Sequence, residues 1–227
     1  TKQTACVPGT YQPSAKGRAC VGANPGKYVA LSAATRQVPC PAGRFQPGAR
    51  ARACTPASSG NFVAVAGATR QVKCAAGTFQ PNKAASSCRR ATAGHMVPGV
   101  GRSSQTPCPA GSFQRNTGRS SCDPAPAGSF ARGTGNSAAT PCAAGTFQAA
   151  SRRTSCDAAS PGHFVSAVGA TAQAECAAGT FQAASGRTSC VAASPGHFVS
   201  GVGATAQQKC VAGSFQPDSG QTACELS

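Results

Sequence analysis

Gly179-Thr180-Phe181 is the plainest copy of a triplet whose recurrence decides how this chain folds. Gly-x-aromatic returns every 17 residues, from Gly9-Thr10-Tyr11 to Gly213-Ser214-Phe215, in 13 copies without a slip in spacing. All twelve aromatic residues stand at its third position, and the one copy that lacks an aromatic, Gly94-His95-Met96, holds the only methionine. A fixed short period means stacked units that each touch their neighbours, in place of one large core. Composition agrees: 227 residues include 27 Gly, 17 Pro and no Trp. With one bulky side chain per 17 residues, the aromatics are expected to supply each unit's small core.

Working outward from the triplet, two kinds of 17-residue unit alternate to make a 34-residue repeat. The first kind reads Cys-x-x-Gly-[Thr/Ser/Arg]-[Phe/Tyr]-Gln, a polar stretch, then Cys, as in Cys142 to Cys156 and Cys176 to Cys190. The second reads Pro-Gly-His-Phe-Val and then Val-Gly-Ala-Thr-x-Gln, as in Pro161 to Gln173 and Pro195 to Gln207. A 34-residue period also occurs in helical repeat arrays. That reading fails here, because Gly and Pro recur in every unit and apolar residues never keep helical spacing over three turns. In Gly179-Thr180-Phe181-Gln182 polar residues flank the aromatic, a two-fold pattern that suits a strand. Ser185-Gly186-Arg187 and Gly203-Ala204-Thr205 supply turns. The expected fold is all-β and disulfide-rich, without helix: one continuous, elongated array over residues 1–227, built of short β-hairpins. Two strands alone are marginal in water, so each unit needs its neighbours and a staple.

The fourteen cysteines, at 6, 20, 40, 54, 74, 88, 108, 122, 142, 156, 176, 190, 210 and 224, alternate gaps of 14 and 20 residues. No Cys-x-x-Cys knuckle occurs, so disulfides in an oxidising compartment are expected in place of zinc or redox chemistry. Counted from the shared Gly, the first kind of unit has cysteine three before and eleven after. The second has Ala23, Ala57, Ala91, Ala125, Ala159 and Ala193 at the first position, and Gln37, Gln71, Gln105, Ala139, Gln173 and Gln207 at the second. Both cysteines vanish together, as bonded partners should, since a lone thiol is a liability in a secreted protein. This predicts Cys6–Cys20, Cys40–Cys54, Cys74–Cys88, Cys108–Cys122, Cys142–Cys156, Cys176–Cys190 and Cys210–Cys224. The competing register, Cys20–Cys40 and onward, would strand Cys6 and Cys224 for links between molecules.

The chain carries 21 Lys and Arg against 5 Asp and Glu, and its first acid is Asp123. An acid-free first half predicts affinity for polyanions such as acidic polysaccharide, with Arg36, Arg44, Arg52, Arg70, Arg89 and Arg90 as candidate contacts. The basic residues are scattered, so the bland reading, a solvated surface that keeps the molecule soluble, stands beside it. Specific recognition of nucleic acid is not expected. No apolar stretch approaches the ~18 residues of a membrane span. The chain begins at Thr1 without a signal peptide, and Thr1-Lys2-Gln3 matches Thr35-Arg36-Gln37, so a processed or truncated product is expected.

Cys142-Ala143-Ala144-Gly145-Thr146-Phe147 and its equivalents, each followed by a turn and a second cysteine, resemble the ephrin-receptor-like cysteine-rich repeat and, more distantly, that of tumour necrosis factor receptors. Where those families carry a further cysteine pair in each neighbouring unit, this chain has Ala and Gln. The resemblance implies an extracellular, disulfide-stapled module. It carries no ligand site with it. Alanine-rich arrays of this kind look like those of large bacterial surface and secreted proteins.

Catalytic readings find no support. The first half has no carboxylate, and the five acids share no motif for acid–base work. His95, His163 and His197 each follow the repeat's Gly, at a position that also accepts Lys27, Asn61 and Ser129, so they read as one choice at an exposed strand site. Neither enzyme activity, a metal nor a cofactor is expected. The leading expectation is an extracellular or cell-surface structural protein that joins copies of itself into a filament, fibre or stalk. The alternative is an adhesin or receptor-like module for anionic polymers.

Overall fold

The computed structural model describes residues 5–14 and 17–226; the Thr1-Lys2-Gln3 match lies outside them. The described residues hold no helix and 26 two-residue strands, β1 (Thr10–Tyr11) to β26 (Glu225–Leu226). These pair consecutively into thirteen antiparallel two-stranded sheets. In each, the residue after the repeat's Gly faces the residue thirteen after it. For β21 (Thr180–Phe181) and β22 (Val191–Ala192) the partners are Thr180↔Ala192 and Phe181↔Val191.

The Gly of the triplet opens each hairpin. Gly179 has φ +84°, and the Thr180 N–H donates to Ala177 C=O at 3.0 Å. A four-residue turn with left-handed backbone at its third residue favours Gly there and tolerates Pro before it. Pro161 and Pro195 take that second place. The Ala193 N–H then closes the hairpin on Gly179 C=O at 2.9 Å.

Hairpins are joined by backbone, not by bulky side chains. Three hydrogen bonds link the Gly179 hairpin to the next one: Gly179 N–H to Val199 C=O at 2.8 Å, Gln182 N–H to Ala204 C=O at 3.0 Å, and Gly203 N–H to Cys176 C=O at 2.8 Å. Equivalent bonds recur from hairpin to hairpin within each of two compact units. One comprises residues up to Pro107 with Asn116–Ser121; the other comprises Cys108–Arg115 with the residues from Cys122 onward.

Ten hairpins also meet the next but one within their unit. A Cβ on Gly179 would lie 2.1 Å from the carbonyl oxygen of Gly220, and one on Gly26 would lie 2.1 Å from that of Gly67. Glycine therefore serves twice: it adopts the left-handed backbone, and it leaves room for a carbonyl 41 residues further on. Within each unit, hairpins of one kind thus stack on one another at the 34-residue period.

The enclosed side chains differ from the expectation. The aromatic column is half-buried, and Phe215 is 46% exposed. In each unit the core is instead a column of small residues three before the Gly, in which Cys40 and Cys74 alternate with fully enclosed Ala57 and Ala91 in the first, and Cys108, Cys142 and Cys176 with Ala125, Ala159 and Ala193 in the second. Backbones that approach to carbonyl contact leave no interior space for a ring. A second enclosed column, three after the Gly, alternates glutamine with Val29, Val63, Val97, Ala131, Val165 and Val199. Buried glutamine is tolerated only when hydrogen-bonded. Gln182 meets this need: its Nε2 donates to Ser189 C=O at 2.9 Å and its Oε1 accepts from the Ala184 N–H at 3.2 Å.

Candidate functional site

The recurring chemistry of this molecule is the way each hairpin is closed. In the first kind of unit a disulfide joins the enclosed cysteine to the one fourteen residues on. The bonds are Cys6–Cys20, Cys40–Cys54, Cys74–Cys88, Cys108–Cys122, Cys142–Cys156, Cys176–Cys190 and Cys210–Cys224. No free cysteine remains among the described residues. Closing a loop of this size contributes about 3 kcal/mol in the chain-entropy model.

In the second kind of unit the same two positions are joined by a hydrogen bond. Gln173 Oε1 accepts from the Ser160 N–H at 2.7 Å, one residue beyond the enclosed Ala159. Gln37, Gln71, Gln105 and Gln207 do the same for the N–H groups of Asn24, Ser58, Thr92 and Ser194, at 2.7–2.8 Å. The one remaining hairpin of this kind, that of Gly128, departs from the rule. Pro126 stands where the N–H should be and has none to donate, and the position of the glutamine is Ala139. Where the donor is lost, the acceptor is lost with it. In the sequence these glutamines show only as absent cysteines; the joint exception at Pro126 and Ala139 is the one sign there of what they bind.

The six arginines proposed from sequence are all exposed, and they do not converge. Arg36 and Arg70 occupy equivalent places in two stacked glutamine-closed hairpins. Arg44, Arg52, Arg89 and Arg90 belong to the disulfide-closed hairpins. Arg44 donates to Cys54 C=O at 3.1 Å. The division of charge is sharper than the arrangement of any six residues. The first compact unit holds thirteen Lys and Arg and no acid among its described residues; the second holds six against all five acids.

The histidines are half-buried and turn back on their own backbone: Nδ1 lies 3.2 Å from the preceding turn's carbonyl in His95, His163 and His197. His163 Nε2 stands 3.8 Å from Glu175, its cross-strand partner. No group of three or more His, Cys, Asp or Glu among the described residues is placed to hold a metal ion. No helix of the described residues is long and apolar enough to cross a membrane. A groove beside the Cys142–Cys156 hairpin, lined by Phe130, Arg132, Thr146 and Thr154, brings no pair of titratable groups together. No family model matches the chain, and a search of curated proteins finds no match.

Proposed function

We propose that this chain is a secreted or surface-displayed structural protein, in which copies join into a filament, fibre or stalk. The observation that carries this reading is the uniformity of its junctions: within each compact unit the same three backbone hydrogen bonds recur from hairpin to hairpin. Seven disulfides support an oxidising, extracellular setting. The likeness of Cys142-Ala143-Ala144-Gly145-Thr146-Phe147 to extracellular cysteine-rich repeats points the same way. Short exposed strands and turn-tip residues such as Leu31, Val65, Val168 and Val202, each at least 66% exposed, offer surface for contact between copies. Electron microscopy and sedimentation across a concentration series test the proposal. Assemblies that grow with concentration support it; monomers throughout refute it.

The charge division favours a second reading, in which the first compact unit grips acidic polysaccharide. Thirteen cations without one neighbouring acid create a field that a polyanion would neutralise. Affinity for a sulfated glycan that collapses as salt is raised supports this reading, and absent or salt-insensitive binding removes it.

A further inference from the structure

We propose that the array is an extensible tether: under tension its six disulfide-free hairpins open first, beginning with the hairpin of β15 (Ser129–Phe130) and β16 (Thr140–Pro141), while its seven disulfide-closed hairpins keep their length. The proposal rests on the structural reading only in taking the chain to bear tension, and it requires no association between copies.

Two independent differences separate the two kinds of hairpin. The first is closure. A disulfide lets force pass across Cα atoms 5.6–5.8 Å apart, so the residues between them are shielded from the pull. A glutamine-to-backbone hydrogen bond offers no such bypass. The second is the brace inside the loop. In the disulfide-closed hairpins a glutamine, buried in five of the seven, braces the loop, as Gln80 does by donating to Ser87 C=O at 2.8 Å and accepting from the Asn82 N–H at 3.0 Å. In the others an apolar Val fills that place and ties nothing.

The β15–β16 hairpin lacks even what the other disulfide-free hairpins keep. Pro126 and Ala139 leave it without the closing hydrogen bond. Ala131 replaces the buried Val. Its loop glycines Gly133 and Gly135 have counterparts at Gly99 and Gly101 and at Gly201 and Gly203, and do not distinguish it. Three weakening residues, Pro126, Ala139 and Ala131, coincide in one hairpin. Those residues mark a yield point whose order of opening is written in side chains.

The chain between successive disulfides runs 20 residues, as from Cys122 to Cys142. Each such segment can extend to at most about 70 Å, and reducing a disulfide adds up to about 45 Å from its loop. Single-molecule stretching of the whole chain between handles at its two ends reads these lengths. Without reductant, the expected record is early lengthening confined to the six disulfide-free segments, and reductant adds the shorter increments. P126S/A139Q restores both donor and acceptor and should move the first event to higher force. As a second variant, A57C/Q71C places cysteines where alternate hairpins are bridged and should remove about 45 Å of extension without reductant. The proposal is overturned if all hairpins open in one event, if lengthening begins only after reduction, or if the first event ignores P126S/A139Q while A57C/Q71C leaves the extension unchanged.

Discussion

Glycine carries two separable loads at the residue level. Gly179 combines φ +84° with a carbonyl 2.1 Å from where its Cβ would sit, whereas Gly133 has φ +71° and nothing within 4 Å. Gly133→Ala should therefore cost about 1 kcal/mol for left-handed backbone alone. Gly179→Ala should reach or exceed the upper end of the range of about 1–3 kcal/mol typical of strained backbone, because the carbonyl belongs to another hairpin and cannot yield freely. Thermal denaturation of the two variants distinguishes the loads; equal losses would show that the close approach contributes nothing. The turn role of Gly was legible in the sequence, because turn chemistry is local. The contact 41 residues away was not, since the turn already accounts for a Gly at every repeat.

Twelve of the thirteen hairpins are closed by one of two devices, a disulfide or a glutamine-to-backbone hydrogen bond, and their equivalence can be tested by exchange. Cys142→Ala with Cys156→Ala should lose about 3 kcal/mol, with little packing penalty because Ala already fills that enclosed place in alternate hairpins. Cys142→Ala with Cys156→Gln should recover about 1 kcal/mol of this, because Ala143 presents an N–H where Ser160 does. The same exchange at Cys108 and Cys122 should recover nothing, because Pro109 stands there. Recovery at both sites, or at neither, in chemical denaturation would refute the hydrogen-bond account. The cysteine positions could be paired in the sequence because two residues disappear together. The glutamines were opaque because their partner is a main-chain N–H, which leaves no letter in the sequence except where proline removes it. The aromatic column misled for a related reason: its period was real, but period does not tell which side of a two-residue strand is covered. Met96→Phe at this half-buried place should consequently change stability by no more than about 0.5 kcal/mol.

For the whole molecule, charge is the property that regularity does not explain. The hairpins of both units share one backbone plan, yet all five acids lie in the second. Binding to a sulfated glycan, measured at rising salt, should weaken steeply and should be lost when Arg36, Arg70, Arg89 and Arg90 are changed together to Gln. The same changes at Arg132, Arg152, Arg153 and Arg187 should matter less, because acids in that unit already offset them. Equal effects would argue for diffuse attraction by net charge. The sign and extent of this asymmetry were plain in the sequence; its coincidence with a compact unit was not, because unit boundaries depend on contacts through space.

The approach of ten of the repeat's glycines to a carbonyl 41 residues ahead bears on inheritance. Within a unit every hairpin consults only its next two neighbours. An in-frame gain or loss of 34 codons therefore returns each surviving residue to equivalent company. A change of 17 codons sets a cysteine-closed hairpin where a glutamine-closed one belongs and breaks both stacks at once. Length in such a gene is free to drift, but only in steps of two hairpins.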